Sequence, residues 1–368
     1  MIRRKRKDIS YDILKPRQLM WRKFKKHKLA LIALFVLAFM YLCVILVEMI
    51  AVYDPNYADT SNRWIPPQRI HFFQDGRLVA PYALGLKQTY NPLTYERLFV
   101  EDTEQVFKVV FFGKGEPYKF WGLFTMDFHI VTPQSGYLHL FGTDQIGRDV
   151  FSRVLYGGRI SLSIGIVGIF ATFIIGVILG SLSGYFGGFI DDVVQRSIDF
   201  LMVIPTLPLW MTLAAAIPRT WSVMKTYFVM TLILSVVGWT GLARTTRGKM
   251  LALREEQFVV AARIMGAKTS RIIGKHMLPS FFSYIIVSLT MSIPSTILGE
   301  TALSFLGIGL QPPAISWGML LQDSTKIIQI SERPWLLLPV FFIVLTVLMY
   351  NFLGDGLRDA ADPFSKSQ

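Results

Sequence analysis

The sequence predicts an all-α polytopic membrane protein of six transmembrane helices, with a small strand-rich external insert between the first and second. Hydrophobic residues make up 52% of the chain and its mean hydropathy is positive, which places most of the apolar surface in lipid and against other membrane helices. Runs long enough to cross a bilayer recur along it. The net charge of +13 is concentrated in two blocks, about +10 in residues 1–28 and about +6 in 244–276; the rest sums to slightly below zero. Two compact basic blocks are what the positive-inside rule puts in the cytoplasm, and they argue against a nucleic-acid surface. The single cysteine, Cys43, lies in an apolar run, so no intrachain disulfide is possible.

Residues 1–28 form a basic cytoplasmic arm with Trp21 and Phe24 near the headgroups. The uncharged stretch that follows is longer than a signal-peptide core, and no small-x-small cleavage pattern follows it. Residues 29–50 therefore read as a retained first span. Residues 53–141 hold no apolar run of span length but carry two hairpin signals. RIHFFQ and RLVAPYAL flank the tight-turn pair Asp75-Gly76, and QVFKVVFF and PYKFWGLF flank a turn at Gly113 to Gly115. Residues 142–159, GTDQIGRDVFSRVLYGGR, read as a turn into an amphipathic helix along the outer interface.

A membrane core is expected at 160–354, with spans at about 160–184, 198–217, 226–243, 281–299 and 335–353 and a cytoplasmic tail at 355–368. Gly165, Gly168, Gly176 and Gly180 give the second span small-residue faces for close packing. Pro205 and Pro208 should bend the third. Counting from an inside start, the fourth crossing returns the chain to the cytoplasm. The basic loop at 244–280 is therefore inside by parity as well as by charge, and both termini are cytoplasmic.

No residue pattern supports catalysis in this chain. The nearest approach to a phosphate loop, Gly266-Ala267-Lys268-Thr269, lacks the earlier glycine. The histidines never form a zinc-binding pair, so no metal site is expected. In Gly180-Ser-Leu-Ser-Gly184, Leu182 stands where a nucleophile elbow needs serine. Asp199 and Glu300 fall near opposite membrane faces and cannot act as a pair; each either lines a path or caps and snorkels at its interface. Pro205, Pro208, Pro294 and Pro339 either open backbone toward a water-filled path or only kink their helices.

The stretch at 255–279, EEQFVVAARIMGAKTSRIIGKHMLP, is too basic to enter the bilayer. Phe258, Ala261, Ala262 and Met265 share a face at i, i+3, i+4 and i+7. Gly266 permits a bend, residues 271–277 read as a second short helical piece, and Leu278-Pro279 opens the next span. Spacing alone leaves two readings: a helix lying on lipid, or a plug for a groove on a partner.

The motifs then become specific. Ala261-Ala262-x-x-x-Gly266, followed by His276-Met277-Leu278-Pro279, resembles the EAA loop of ABC importer permeases. GTDQIGRDVFSR, GYFGGFIDDV and ETALSFLGIGLQPPAISWG look like the C-type permease subunit of dipeptide/oligopeptide importers, as do the basic arm, retained first span and long insert. The resemblance covers nearly the whole chain, least securely the insert. It implies a type I importer core built from helices 2–6, in a bacterial or archaeal cytoplasmic membrane. It also implies a second permease subunit, two ATP-binding subunits that bind ATP and Mg, and an extracytoplasmic solute-binding protein.

Carried over position by position, Ala261, Ala262, Gly266, Leu278 and Pro279 match the coupling helix that docks on the ATPase. Val260 replaces the motif's leading Glu, with Glu255 and Glu256 one turn earlier, and His276 replaces an Ile. Glu256 joins the expected docking residues; Asp199, Pro205, Pro294 and Glu300 are the candidate path residues. The solute implied is a di- or oligopeptide, with oligosaccharide or nickel as alternatives. The insert either meets the binding protein or partner permease or caps the bundle. An intramembrane enzyme would need a depth-matched catalytic pair, and a scaffold would need neither kinked glycine-rich spans nor a docking loop.

Overall fold

The computed structural model describes residues 16–74, 76–90, 92, 97–325 and 327–361. Most of the basic arm and the last residues of the tail lie outside them. Among the described residues, five helices are long and apolar enough to cross a membrane, and a pair of shorter helices bent by 89° is a sixth candidate. Helix α1 (Pro16–Phe24) leads into α2 (Lys28–Ile45) and the single turn α3 (Val47–Ile50). His27 caps α2 by accepting the Ala30 N–H at 3.1 Å, satisfying one of the donors that a helix start leaves free. Ala30, Ala33, Leu37 and Met40 face inward, whereas Ile32, Phe35, Phe39, Leu42 and Ile45 form an exposed apolar stripe. Phe24 and Ala30 pack with Ala360 of the last helix, so the two ends of the described chain meet at one end of the bundle.

The insert is a four-stranded antiparallel meander of β1 (Ile70–Gln74), β2 (Arg77–Tyr90), β3 (Arg97–Phe120) and β4 (Phe124–Pro133). The first hairpin closes where expected, with Gln74 paired to Arg77 and Gly76 at φ +75°; Asp75 lies outside the described residues. The second differs from the expectation. β3 runs straight through Gly113, which pairs with His129, and the chain reverses only at residues 121–123. Gly115 falls in an irregularity of the ladder between Lys114 and Tyr118, with Gly113 paired just before it, a use of strand glycine that sequence cannot tell from a turn. A Cβ on Gly115 would lie 2.5 Å from the His129 ring. That ring bonds the Ala51 and Glu116 carbonyls at 2.9 and 2.8 Å and so ties the sheet to the end of α3.

No separate interfacial helix precedes the second span. Helix α4 (Val150–Phe186) is continuous over 37 residues, because the glycines and acid–Arg neighbours of 142–149 are consumed in one tight turn. Asp144 accepts the Ile146 and Arg148 N–H groups, each at 3.0 Å, and Arg148 Nε at 2.6 Å. Asp149 caps α4 through the Ser152 N–H at 2.7 Å and holds His139 Nδ1 at 3.0 Å.

The expected third span is broken. α5 (Gly188–Val203) and α6 (Thr206–Ala215) meet at Pro205. Proline supplies no N–H to continue α5 and holds the preceding Ile204 extended at ψ 126°. α7 (Val223–Leu253) packs along α4. A Cβ on Gly180 would sit 2.5 Å from the Ala243 carbonyl oxygen, and one on Gly184 2.6 Å from that of Arg247, so the two backbones are in direct contact. Beyond the loop helices α8 (Gln257–Ile264) and α9 (Thr269–Arg271), α10 (Leu278–Phe305) crosses back. The short helices α11 (Trp317–Gln322) and α12 (Ile327–Glu332) follow, and α13 (Leu338–Ala361) closes the bundle against α2 and α10.

Candidate functional site

The loop between α7 and α10 is a firmly seated element. Just past the end of α8 and its cap Met265 comes Gly266, whose φ of +74° lies in the left-handed region that residues with a Cβ avoid. A π-helical segment, Ile272–Met277, then leads directly into α10. Val259, Ala262, Ile272 and Met277 point inward and join Val177, Leu242 and Met250 at the ends of α4 and α7 in one apolar cluster. The small side chain of Ala262 is thus used inside this chain. Ala261, Gly266, Glu256 and Pro279 are exposed, and Leu278 is half-buried. The outward surface at the bend is apolar: Ile264 and Met265 are 81% and 80% exposed, and Phe258, about two turns earlier on α8, is exposed as well. Arg263, Lys268, Arg271 and Lys275 are exposed on the same loop.

Two ion pairs brace the helices that carry the loop. Arg247 on α7 holds Asp191 on α5 through Nε and Nη2, both at 2.5 Å, and Ser183 on α4 donates to the same carboxylate. One turn earlier, Arg244 reaches Asp199 at 2.7 Å. Asp199 is therefore an exposed, paired group at the loop end of the bundle.

Glu300 sits at the opposite end and is fully buried. Ser304 donates to it at 2.7 Å and Ser161 at 3.4 Å, with Ser316 a third partner. Each serine oxygen also accepts a backbone N–H: that of Leu310, Trp317 and Met319, respectively, at 3.1, 3.0 and 3.2 Å. One carboxyl group thus fixes the 306–316 loop and the start of α11 against α4. This is neither the snorkelling nor the capping geometry that its distance from a span end suggests. A cavity of about 270 Å³ lies beside that loop, between residues 307–314 and the α6–α7 connection. Pro294 is buried within an unbroken part of α10, and Pro205 is the break between α5 and α6. Asp199 and Glu300 are not brought together, nor do Pro205 and Pro294 share a site with the loop residues. Among the described residues, no group of three or more His, Cys, Asp or Glu could hold a metal ion.

The arrangement also involves residues that sequence reasoning passed over. Ile264 and Met265 straddle the position at which α8 ends, so the helical face drawn through Phe258 and Met265 omits Ile264. Asp191 and Arg247 stand 56 positions apart in sequence, and Ser161 and Ser316 read as unremarkable small residues; only the fold brings them onto a carboxylate. The acidic pair Asp191-Asp192, set against a single Arg, was the one signal available.

Comparison with known families gives this geometry a context. Residues 176–366 match the model of the binding-protein-dependent transport system inner membrane component. Residues 15–67 match the N-terminal TM domain of oligopeptide transport permease C. The dipeptide transport system permease protein DppC of Bacillus subtilis is 43% identical over 227 residues, 61% of this chain and 68% of that protein. The oligopeptide transport system permease proteins OppC of Bacillus subtilis and Haemophilus influenzae are 39% and 42% identical over 226 residues, 61% of this chain and 72% and 70% of theirs. With more than half of its length matched by the first model, this chain belongs to the family of inner-membrane components of binding-protein-dependent transport systems.

Proposed function

We propose that the chain is one of two permease subunits of an ATP-driven importer that takes di- and oligopeptides from an extracytoplasmic binding protein across the cytoplasmic membrane. The peptide class rests on the relatives named dipeptide and oligopeptide permeases and on the match over residues 15–67. In this reading the bent pair α5–α6 counts as one span, giving six. An even number agrees with α1 and the end of α13 packing at one end of the bundle, and the positive-inside rule makes that end cytoplasmic. ATP and Mg belong to two separate ATPase subunits, and this chain catalyses nothing itself.

The observation that carries the coupling role is the exposed apolar knob of Phe258, Ile264 and Met265 on a basic loop seated against α4, α7 and α10. Such a knob fits an apolar groove with an acidic rim. Ala261, Gly266, Leu278 and Pro279 shape its approach, and Glu256 lies at its edge. Closure of the ATPases would move α8, and the buried Val259 and Ala262 would pass that motion to the ends of α4 and α7 as a rigid-body tilt. The break at Pro205, the buried Pro294 and Glu300 belong to the part of the bundle whose opening the tilt would change; Asp199 sits nearer the loop.

The test replaces Ile264 and Met265 by Ser in the assembled transporter. Both side chains are exposed, so folding should be retained while peptide uptake and peptide-stimulated ATP hydrolysis fall at least tenfold. Unchanged uptake with both replaced would reject the docking role.

A further inference from the structure

We propose that the β3–β4 hairpin tip, residues 119–124, is a membrane anchor whose side chains lie among the phospholipid headgroups around the end of α2. The tip reads Lys-Phe-Trp-Gly-Leu-Phe. Residues 68–175, which include the tip, fall outside both matched family regions.

Its height is fixed by one bond. The Trp121 indole N–H donates to the Ile45 carbonyl at 3.0 Å, and Ile45 is the last residue of α2. At 1.5 Å per residue, the 18 residues of α2 span about 27 Å, close to the ~30 Å of a bilayer's hydrocarbon core. The tip therefore lies level with the point at which α2 leaves the hydrocarbon.

Its chemistry suits that layer. Leu123 is 80% exposed, and Trp121 and Phe124 are exposed with it, an apolar group that water would penalise. Lys119 stands at the same turn. Aromatic rings with a polar edge, beside a cation, are the composition of the interfacial belt. The outward stripe of α2, Phe35, Phe39, Leu42 and Ile45, is the lipid-facing surface of the first span, and Trp121 of the tip is bonded at its last residue, Ile45.

The tip is also held in place at a cost. Trp121 adopts φ +48°, a region that bulky side chains rarely enter and that persists only when the surroundings over-determine it. Here its ring is fixed by the Ile45 carbonyl on one side and by the Arg159 guanidinium, 4.2 Å from the ring centroid, on another. Arg159 is in turn gripped by Glu48 at 2.8 and 2.9 Å. This chain of contacts from α4 through α3 to the hairpin sets Leu123 and Phe124 at one depth, so the sheet stands over the bundle at a defined angle instead of swinging on its two connections.

The experiment uses the assembled transporter in phosphatidylcholine nanodiscs. The Cys43→Ala background carries Leu123→Cys or, separately, Phe124→Cys, each labelled with an environment-sensitive fluorophore. Quenching is read with aqueous iodide and with lipid spin-labelled near the headgroup. Anchoring predicts that shallow spin-labelled lipid quenches both sites at least twofold more than iodide does. Free iodide access with no lipid quenching would mean that the tip stands in water. Protection from both quenchers would mean that protein covers it; either result overturns the proposal. No substrate or nucleotide is added, so the outcome is independent of the uptake test of transport.

Discussion

Arg247 holds Asp191 with two parallel bonds, Nε and Nη2 each 2.5 Å from a different carboxylate oxygen. Ser183 completes the site, so the end of α4, the start of α5 and the last turns of α7 converge on one carboxylate. Only a guanidinium makes this planar fork. Arg247→Lys should keep the charge but lose one bond of the fork, lowering stability by about 1.5–3 kcal/mol and uncoupling ATP hydrolysis from uptake. A double-mutant cycle with Asp191→Ala and Arg247→Ala, read by thermal unfolding of the purified protein, checks it. Strictly additive effects would mean that the pair does not brace the loop.

The α4–α7 contact makes a second prediction, because its glycines differ in what surrounds them. A methyl on Gly184 would meet the Arg247 carbonyl oxygen at 2.6 Å, whereas one on Gly248 would meet nothing within 4 Å. Gly184→Ala must push two backbones apart and should destabilise by about 1–3 kcal/mol. Gly248→Ala, on an open helix face, should be neutral or stabilise by about 0.5–1 kcal/mol through helix propensity. Similar melting temperatures for the two variants would show that the backbones do not touch as described.

Glu300 provides a third. Replacing it by Ala leaves the hydroxyls of Ser161, Ser304 and Ser316 without their buried acceptor, at about 1–3 kcal/mol for each group left unsatisfied. Glu300→Gln keeps an acceptor oxygen in the same volume, and hydroxyls can turn to meet its amide. The Ala variant should express poorly and melt well below the Gln variant, which should stay near the parent. Equal behaviour of the two would mean that the carboxyl does not organise the 306–316 loop.

How much of this was legible in the sequence depends on the range of the interactions involved. Helical spans, the first hairpin and the bend at Gly266 follow from local signals: apolar length, an Asp-Gly pair, a glycine after a helical face. Pro205 was legible as a bend, but the size of the bend depends on what α5 and α6 pack against, which the residue itself does not state. Gly113 and Gly115 misled because a glycine that lets His129 approach and a glycine that turns the chain look alike in one dimension. The 142–159 segment misled for a related reason: the glycines and charges of 142–149 serve a turn, and the helix starts at Val150, about ten residues before the span that hydropathy marks. At the loop, the helical face was legible; that Ala262 would be spent inside, and Ile264 presented outside, depended on where α4 and α7 end. The serines around Glu300 are a tertiary fact throughout.

Asp323, between α11 and α12, gives a prediction with a definite sign. Its carboxyl takes a bond from Gln145 at 3.2 Å and lies 3.9 Å from Arg148. Burial lifts its pKa above the ordinary aspartate range and Asp144 adds to the lift, while Arg153 and Arg148 oppose it. A carboxyl with a raised pKa binds more protons in the folded chain than in the unfolded one. Stability therefore falls as pH rises through the window between the ordinary aspartate value and the raised one. Asp59 runs the other way: hydrogen bonds from Ser61 hold its pKa down, so its contribution is lost on acidification. Asp323→Asn removes the first effect alone and keeps an oxygen for Gln145. The melting temperature of the parent minus that of Asp323→Asn should fall as pH rises from mildly acidic toward neutral. A difference that stays flat or climbs over that range would show that burial does not dominate at Asp323.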